Sequence, residues 1–513
     1  MKKLIEMSQL VTDFVDVKTL KLLFNQNSYD PKAYLLLEGI VTGKYKDDAA
    51  ASNDLYKSSP DIKKYLMLKS RTKEYLLNLI FTMNKGKRMK SPMEKALYVC
   101  SRNIIAARLL ILRGMRNVAI DYLKTALTLA GKFQFTDLEI LAARLLRMHE
   151  SFAGTENKMI IYDKLIKNKN DLLIAEIKME EFLERIYLQM RKTVSLKEKL
   201  LKTTSDSFKM SKEIIKKYNS HTLFANYYRI TIYYYHNHGE HLNVIKACES
   251  CEKFLKSNSV FTDLVLVSEM ALQKLDTSLY LRDYNLGKEN ASICRSLSNP
   301  GYINWIIFLE YYFLLCLHTQ NYSEALKVFN EASNHPKFST YPPERLEKWK
   351  IFEAFLFYII PNNAKQKRFN VFKFVNEVPI YSKDKKGYNL SIIIAQISLL
   401  IKMGELDRAM DIINPLKIYS WRYVSKNKNP RSFYFVKMLS LLLKYDFNPE
   451  KTKGIANKFF IKIKQSKLGN QGELETLEVI PYDILWEDMM SKLVDHFKKI
   501  KENAGNPIRK KLK

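Results

Sequence analysis

The sequence predicts an all-α fold, a solenoid of antiparallel helix pairs, and three observations predict it. Turn residues are scarce, helix caps precede apolar periodic runs, and one spacing of small and large residues recurs along the chain.

The first observation is compositional. In 513 residues there are 15 glycines and 14 prolines, too few for the many tight turns of a sandwich or barrel. Hydrophobic residues make up 47% and aromatics 12% of the chain, which excludes wholesale disorder. The length exceeds what one compact core serves, so the chain is either several domains or an extended stack of repeats.

The second observation is local. Ser91-Pro92-Met93-Glu94 offers an N-cap serine, a proline at the first helical position and a glutamate that closes a capping box, so a helix is expected from there to about Arg113. Thr136-Asp137-Leu138-Glu139 has the same form and predicts a second helix with Leu138, Leu141, Ala142, Leu145 and Leu146 on its apolar face. Asn299-Pro300-Gly301, Asn429-Pro430 and Asn448-Pro449 each mark a break before an apolar periodic run. Tyr233 to Tyr235 and Phe433 to Phe435 are β-prone triplets, but both sit inside longer helical periodicity.

The third observation is the repeat. At Tyr322, Ala325, Phe329 and Ala332 the offsets +3, +4 and +3 place four residues on one helical stripe, and the small ones admit a neighbouring helix. The same offsets occur at Tyr284, Gly287, Ala291 and Cys294, at Leu406, Ala409, Ile413 and Leu416, and more loosely at Arg116, Ala119, Leu123 and Ala126. Gly114 and Gly404 stand two residues before their stripes, and the first two stripes named begin 38 residues apart.

These residues resemble the second helix of a tetratricopeptide repeat, most clearly over Asn321 to Ala332 with Pro336 in the closing position, and the resemblance implies a right-handed sense for the solenoid. The units run to about 38–43 residues and lack the Trp and Leu-Gly signature of the first helix, so degenerate repeats and a related α-solenoid both fit. Lys383 to Asn389, Arg431 to Leu439 and Ile480 to Trp486 are also similar to segments of uncharacterised bacterial helical-repeat proteins. The resulting division is an N-terminal helical region over 1–90, helical hairpins with one loose repeat over 91–219, the repeat array over 220–465, and a capping helix with a basic tail over 466–513.

One constellation suggests metal chemistry. His236, His238 and His241 precede Cys248-Glu249-Ser250-Cys251, a zinc-like set of residue types. However, His241, Val244, Cys248 and Cys251 also fit the stripe, and Gly239 stands two residues before it as Gly114 and Gly404 do. The cysteines then fill packing positions, and neither a metal nor a cofactor is expected. No glycine-rich phosphate loop, HExxH, GxSxG or kinase-type signature occurs. His149-Glu150 reads as a solvated pair at a helix end.

The net charge is +30. Most of the basic residues are lysines spread along the chain, so a solvated surface accounts for them, while a nucleic-acid footprint remains the alternative. Charges interrupt the N-terminal apolar run and the Tyr302 to Leu317 stretch contains Asn304 and Glu310, so neither a leader nor a membrane span is expected. Five cysteines suit reduced thiols in the cytoplasm.

The mixture of cations, amides and rings between 383 and 437 is the expected working surface, with Lys383, Lys385, Lys386, Tyr388, Asn389, Trp421, Arg422, Arg431 and Lys437 contacting the partner. Such residues clamp carboxylates. The functional expectation is therefore a non-enzymatic scaffold or adaptor that binds an acidic protein or peptide, with a nucleic-acid-associated regulator as the alternative.

Overall fold

The computed structural model describes residues 1–14, 31–45, 47–82, 91–190, 197–257, 261, 263–360, 369–377, 388–424, 426, 430–466, 468 and 478–504. Among them the chain forms 22 α-helices and no strand, packed mostly between helices adjacent in sequence, with Lys2–Phe14 against Lys63–Thr82 an exception. Two compact units result. The first comprises Met1–Glu180, Glu213–Asn226 and Glu252–Val267, and the second Glu181–Lys212, Tyr227–Cys251 and Ser268–Lys513.

The helices are joined by a common device. Nine described helices begin two residues after a position of positive φ: Gly114, Gln134, Gly154, Gly239, Arg282, Gly301, Gln320, Gly404 and Phe447 precede Arg116, Thr136, Glu156, His241, Tyr284, Ile303, Tyr322, Leu406 and Pro449. In seven of these turns the N–H after the left-handed residue reaches back to a carbonyl five residues earlier, as Met115 does to Leu110 at 2.9 Å and Asn321 to Cys316 at 2.7 Å. That closure satisfies the exposed carbonyls at the helix end and releases the chain into the next helix after one non-helical residue. Glycine adopts this conformation freely at 114, 154, 239 and 404. Gln134, Arg282 and Gln320 do so at a cost of about 1 kcal/mol each.

In the first unit, Pro92–Leu112, Arg116–Phe133 and Thr136–Phe152 pack closely because Ala107, Ala119, Ala126, Ala142 and Ala143 are fully buried where they meet. Ser91 caps the first of these helices by accepting from the Glu94 N–H, with Pro92 at the first helical position. Thr136 behaves differently from the expectation. It is the first helical residue, and its hydroxyl donates instead to the buried Glu176 carboxylate at 3.0 Å. The apolar face of that helix is also rotated toward Ile140, Ala142, Ala143 and Leu146, leaving Leu138, Leu141 and Leu145 partly exposed.

In the second unit, the stripes beginning at 241, 284, 322 and 406 coincide with the first residues of His241–Ser257, Tyr284–Leu297, Tyr322–Ser333 and Leu406–Tyr423. Their inward positions, among them Cys248, Cys251, Ala291, Cys294, Ala325, Ala332, Ala409 and Leu416, are buried. One core runs from Ala271 to Leu493. The most apolar helix, Ile303–His318, lies within it, and its Glu310 is neutralised there by Arg345 at 2.8 Å and Lys348 at 2.9 Å. The final helix, Tyr482–Ala504, buries Leu485, Trp486, Met489 and Leu493 against Tyr388–Met403, Pro430–Lys444 and Pro449–Gln465.

Candidate functional site

The surface expected between 383 and 437 is described only in part. Lys383, Lys385 and Lys386 lie outside the described residues, as do the side chains of Tyr388, Trp421 and Arg422. Asn389 is half-buried in the first turn of Tyr388–Met403, and Lys437 is exposed with its ammonium 5.5 Å from the Phe433 ring centroid.

Arg431 is a correction, because it does not face solvent. It is 5% exposed, and all five of its N–H donors are engaged within the second unit. Nε and Nη2 donate to the two oxygens of Glu478 at 2.7 and 2.9 Å, Nη2 also to Asp483 at 2.8 Å, and Nη1 to the carbonyls of Ile463 and Ser466. Arg282 grips the other side of Asp483 with two bonds of 2.9 Å. Burial alone would raise the Asp483 carboxyl, but the hydrogen bonds from Arg282 and Arg431 outweigh it and hold the group well below the usual carboxylate range. His318 completes the clasp by donating from Nε2 to the Glu478 carbonyl at 2.6 Å. Burial depresses its pKa to about 3, so the ring is neutral. The clasp ties residues 201 apart in sequence and is structural.

The histidine and cysteine set is dispersed. Cys248 and Cys251 are fully buried. His236 is buried beside Thr277 and Asp276, with its pKa pushed down to about 3 by burial and by His241. His241 stacks on Tyr280, and His238 is exposed beside Ser205. Among the described residues no group of three or more His, Cys, Asp or Glu side chains could hold a metal ion.

A different constellation emerges in the first unit. A groove of about 560 Å³ opens between Pro92–Leu112 and the helices Thr136–Phe152 and Glu156–Met190. It is lined by Arg108, Arg144, Arg147 and Asp163, with Leu141, Leu145, Met148 and Met159 as its apolar surface. Arg147 is taken by Asp163 at 2.6 Å. Among the described residues Arg108 and Arg144 make no ion pair, and both are exposed. Beside the groove, the Arg116 guanidinium lies 4.1 Å from the Phe152 ring centroid. The surrounding surface carries Leu109, Leu112 and Phe152 at 60%, 80% and 64% exposure, large apolar side chains that a solvated helix face does not need. Glu150 is buried with Lys158 at 3.9 Å, so the pair at 149–150 is not a solvated one.

The sequence reading missed this groove because its lining comes from three helices, and stripe analysis follows one helix at a time. A signal existed, since six arginines fall between 102 and 147 in a chain whose basic residues are mostly lysine. No family model, no curated protein and no solved structure matches the chain.

Proposed function

We propose that this chain is a non-enzymatic interaction scaffold, an array of antiparallel tetratricopeptide-like helix pairs in a right-handed solenoid that presents a basic surface to an acidic protein partner. The observation that carries the reading is the arginine groove. It holds an excess of guanidinium over carboxylate on rigid helices, above apolar side chains. Arginine is the cation best suited to planar carboxylates, and an exposed apolar surround adds binding area.

The groove joins the region from 383 to 437, most of whose candidate side chains lie outside the described residues, as a place to look for the partner. The four cysteines of the second unit and Cys100 are all buried free thiols, which supports a reducing compartment such as the cytoplasm. Among the described residues no helix is long and apolar enough to cross a membrane.

The test is cross-linking in the native cell with the wild-type chain and an Arg108→Glu/Arg144→Glu variant. Loss of a specific acidic partner in the variant supports the reading, and an unchanged cross-linked profile refutes the site. Nucleic acid is the competing ligand, because the net charge of +30 attracts any polyanion. Oligonucleotide affinity that persists at physiological salt and depends on the same arginines would transfer the function to that class.

A further inference from the structure

Resting on the scaffold reading, we infer that the groove takes one short linear acidic segment in which two carboxylates flank an apolar side chain. The number of carboxylates comes from the charges present. Three guanidiniums line the groove, and its lining supplies one carboxylate, Asp163, which holds Arg147 at 2.6 Å. Two cations remain, Arg108 on Pro92–Leu112 and Arg144 on Thr136–Phe152. They stand on different helices, and neither is paired among the described residues, so each is open to a carboxylate of its own.

The apolar residue comes from the rest of the lining. Leu141, Leu145, Met148 and Met159 offer a surface of flexible and branched side chains in the same groove, the kind that adapts to an aliphatic or aromatic guest. A volume of about 560 Å³ suits a few side chains rather than a folded domain. Phosphate polymers fit less well, since no described lining residue carries a ring on which a base could stack. A phosphate backbone would also leave the apolar surface uncovered.

The groove is preset for such a guest. Both arginine-bearing helices pack on Arg116–Phe133 through fully buried Ala107, Ala119, Leu123, Ala126, Ala142 and Leu146, so little ordering is needed at binding.

The experiment uses the full chain and three fluorescent peptides, with anisotropy read at about 150 mM salt. One peptide carries Glu-Leu-Glu in a Ser/Gly background, the second replaces both glutamates with glutamine, and the third replaces the leucine with serine. Oligothymidylate is the fourth probe. The expected result is that the first peptide binds and the other two bind about tenfold more weakly. Arg108→Glu and Arg144→Glu should each weaken the first peptide by about the same factor, and Met148→Ser should weaken the first but not the third. Arg108→Gln and Arg144→Gln give milder versions, and unchanged melting of all variants shows that they fold.

Equal binding of the first and third peptides, both lost on charge reversal, would overturn the inference while leaving the acidic-partner reading in place. Absence of binding by every peptide, or binding indifferent to both arginines, would overturn the two together. Oligothymidylate binding more tightly through the same arginines would overturn both in favour of nucleic acid.

Discussion

Replacing Arg431 by alanine is the most severe test of how the second unit is held together. The substitution removes five hydrogen bonds and leaves Glu478, with a side chain 7% exposed, facing no cation within the clasp. Asp483 keeps Arg282. Removing one member of a buried pair costs about 3–5 kcal/mol because the surviving charge stays desolvated. In a protein of ordinary stability, roughly 5–15 kcal/mol, that is a large fraction. The loss is expected to be local first, since Glu478 and Asp483 anchor the start of Tyr482–Ala504. Hydrogen exchange should therefore rise across that helix before global unfolding, and urea titration should show the total loss. The pair Arg431→Met with Glu478→Gln should recover part of it, because no unpaired charge then remains buried. A loss below about 1 kcal/mol, with exchange in the last helix unchanged, would show that the clasp contributes little to stability.

Three further outcomes are expected. His236 and His318, each held to a pKa of about 3 by burial, stay neutral in the folded chain, whereas the unfolded chain protonates them near 6.5. The unfolded state thus binds more protons between those values, so their contribution to stability is full above about pH 6.5 and falls as pH drops, by roughly 2 kcal/mol per ring at pH 5; acid titration of His318→Gln should show a flatter slope. Gly287→Ala should destabilise by about 1–3 kcal/mol, measured by thermal melting, because its Cβ would lie 2.0 Å from Leu315 Cδ2 and 2.4 Å from Ser278 Oγ. Glu310→Ala should cost about 3 kcal/mol in the same assay by stranding Lys348 and Arg345, whereas melting that matches wild type would mean that both cations find water.

Local signals carried the fold well. Ser91 caps the helix it was expected to cap, a helix starts at the break expected at Asn448-Pro449, and five stripe positions proved to be the first residues of helices, because capping and 3.6-residue periodicity are decided within a few neighbours. Turns at Gly114, Gly239 and Gly404 were legible for the same reason, while those at Arg282 and Gln320 were not, since a non-glycine residue gives no sign of its left-handed backbone. Thr136 proved to be the first helical residue rather than the cap, and its hydroxyl donates to Glu176, a partner 40 residues on that no local pattern shows. Arg431 failed as a surface residue for a similar cause: whether an arginine faces solvent or a buried carboxylate depends on partners 47 and 52 residues away. The groove at Arg108 and Arg144 was invisible because its helices meet only in three dimensions.

The turns of two or three residues between these successive helices also constrain how this chain can change. With 3.6 residues per turn, each residue advances a helix by about 100°. A deletion or insertion at one of these turns has no slack loop to absorb it, so it would turn the following stripe away from the core. Length variation is therefore expected to be selected against at Gly114, Gly239, Arg282, Gln320 and Gly404. Substitution there is cheaper than a change of frame, because each of these helices must stay in phase with the one before it.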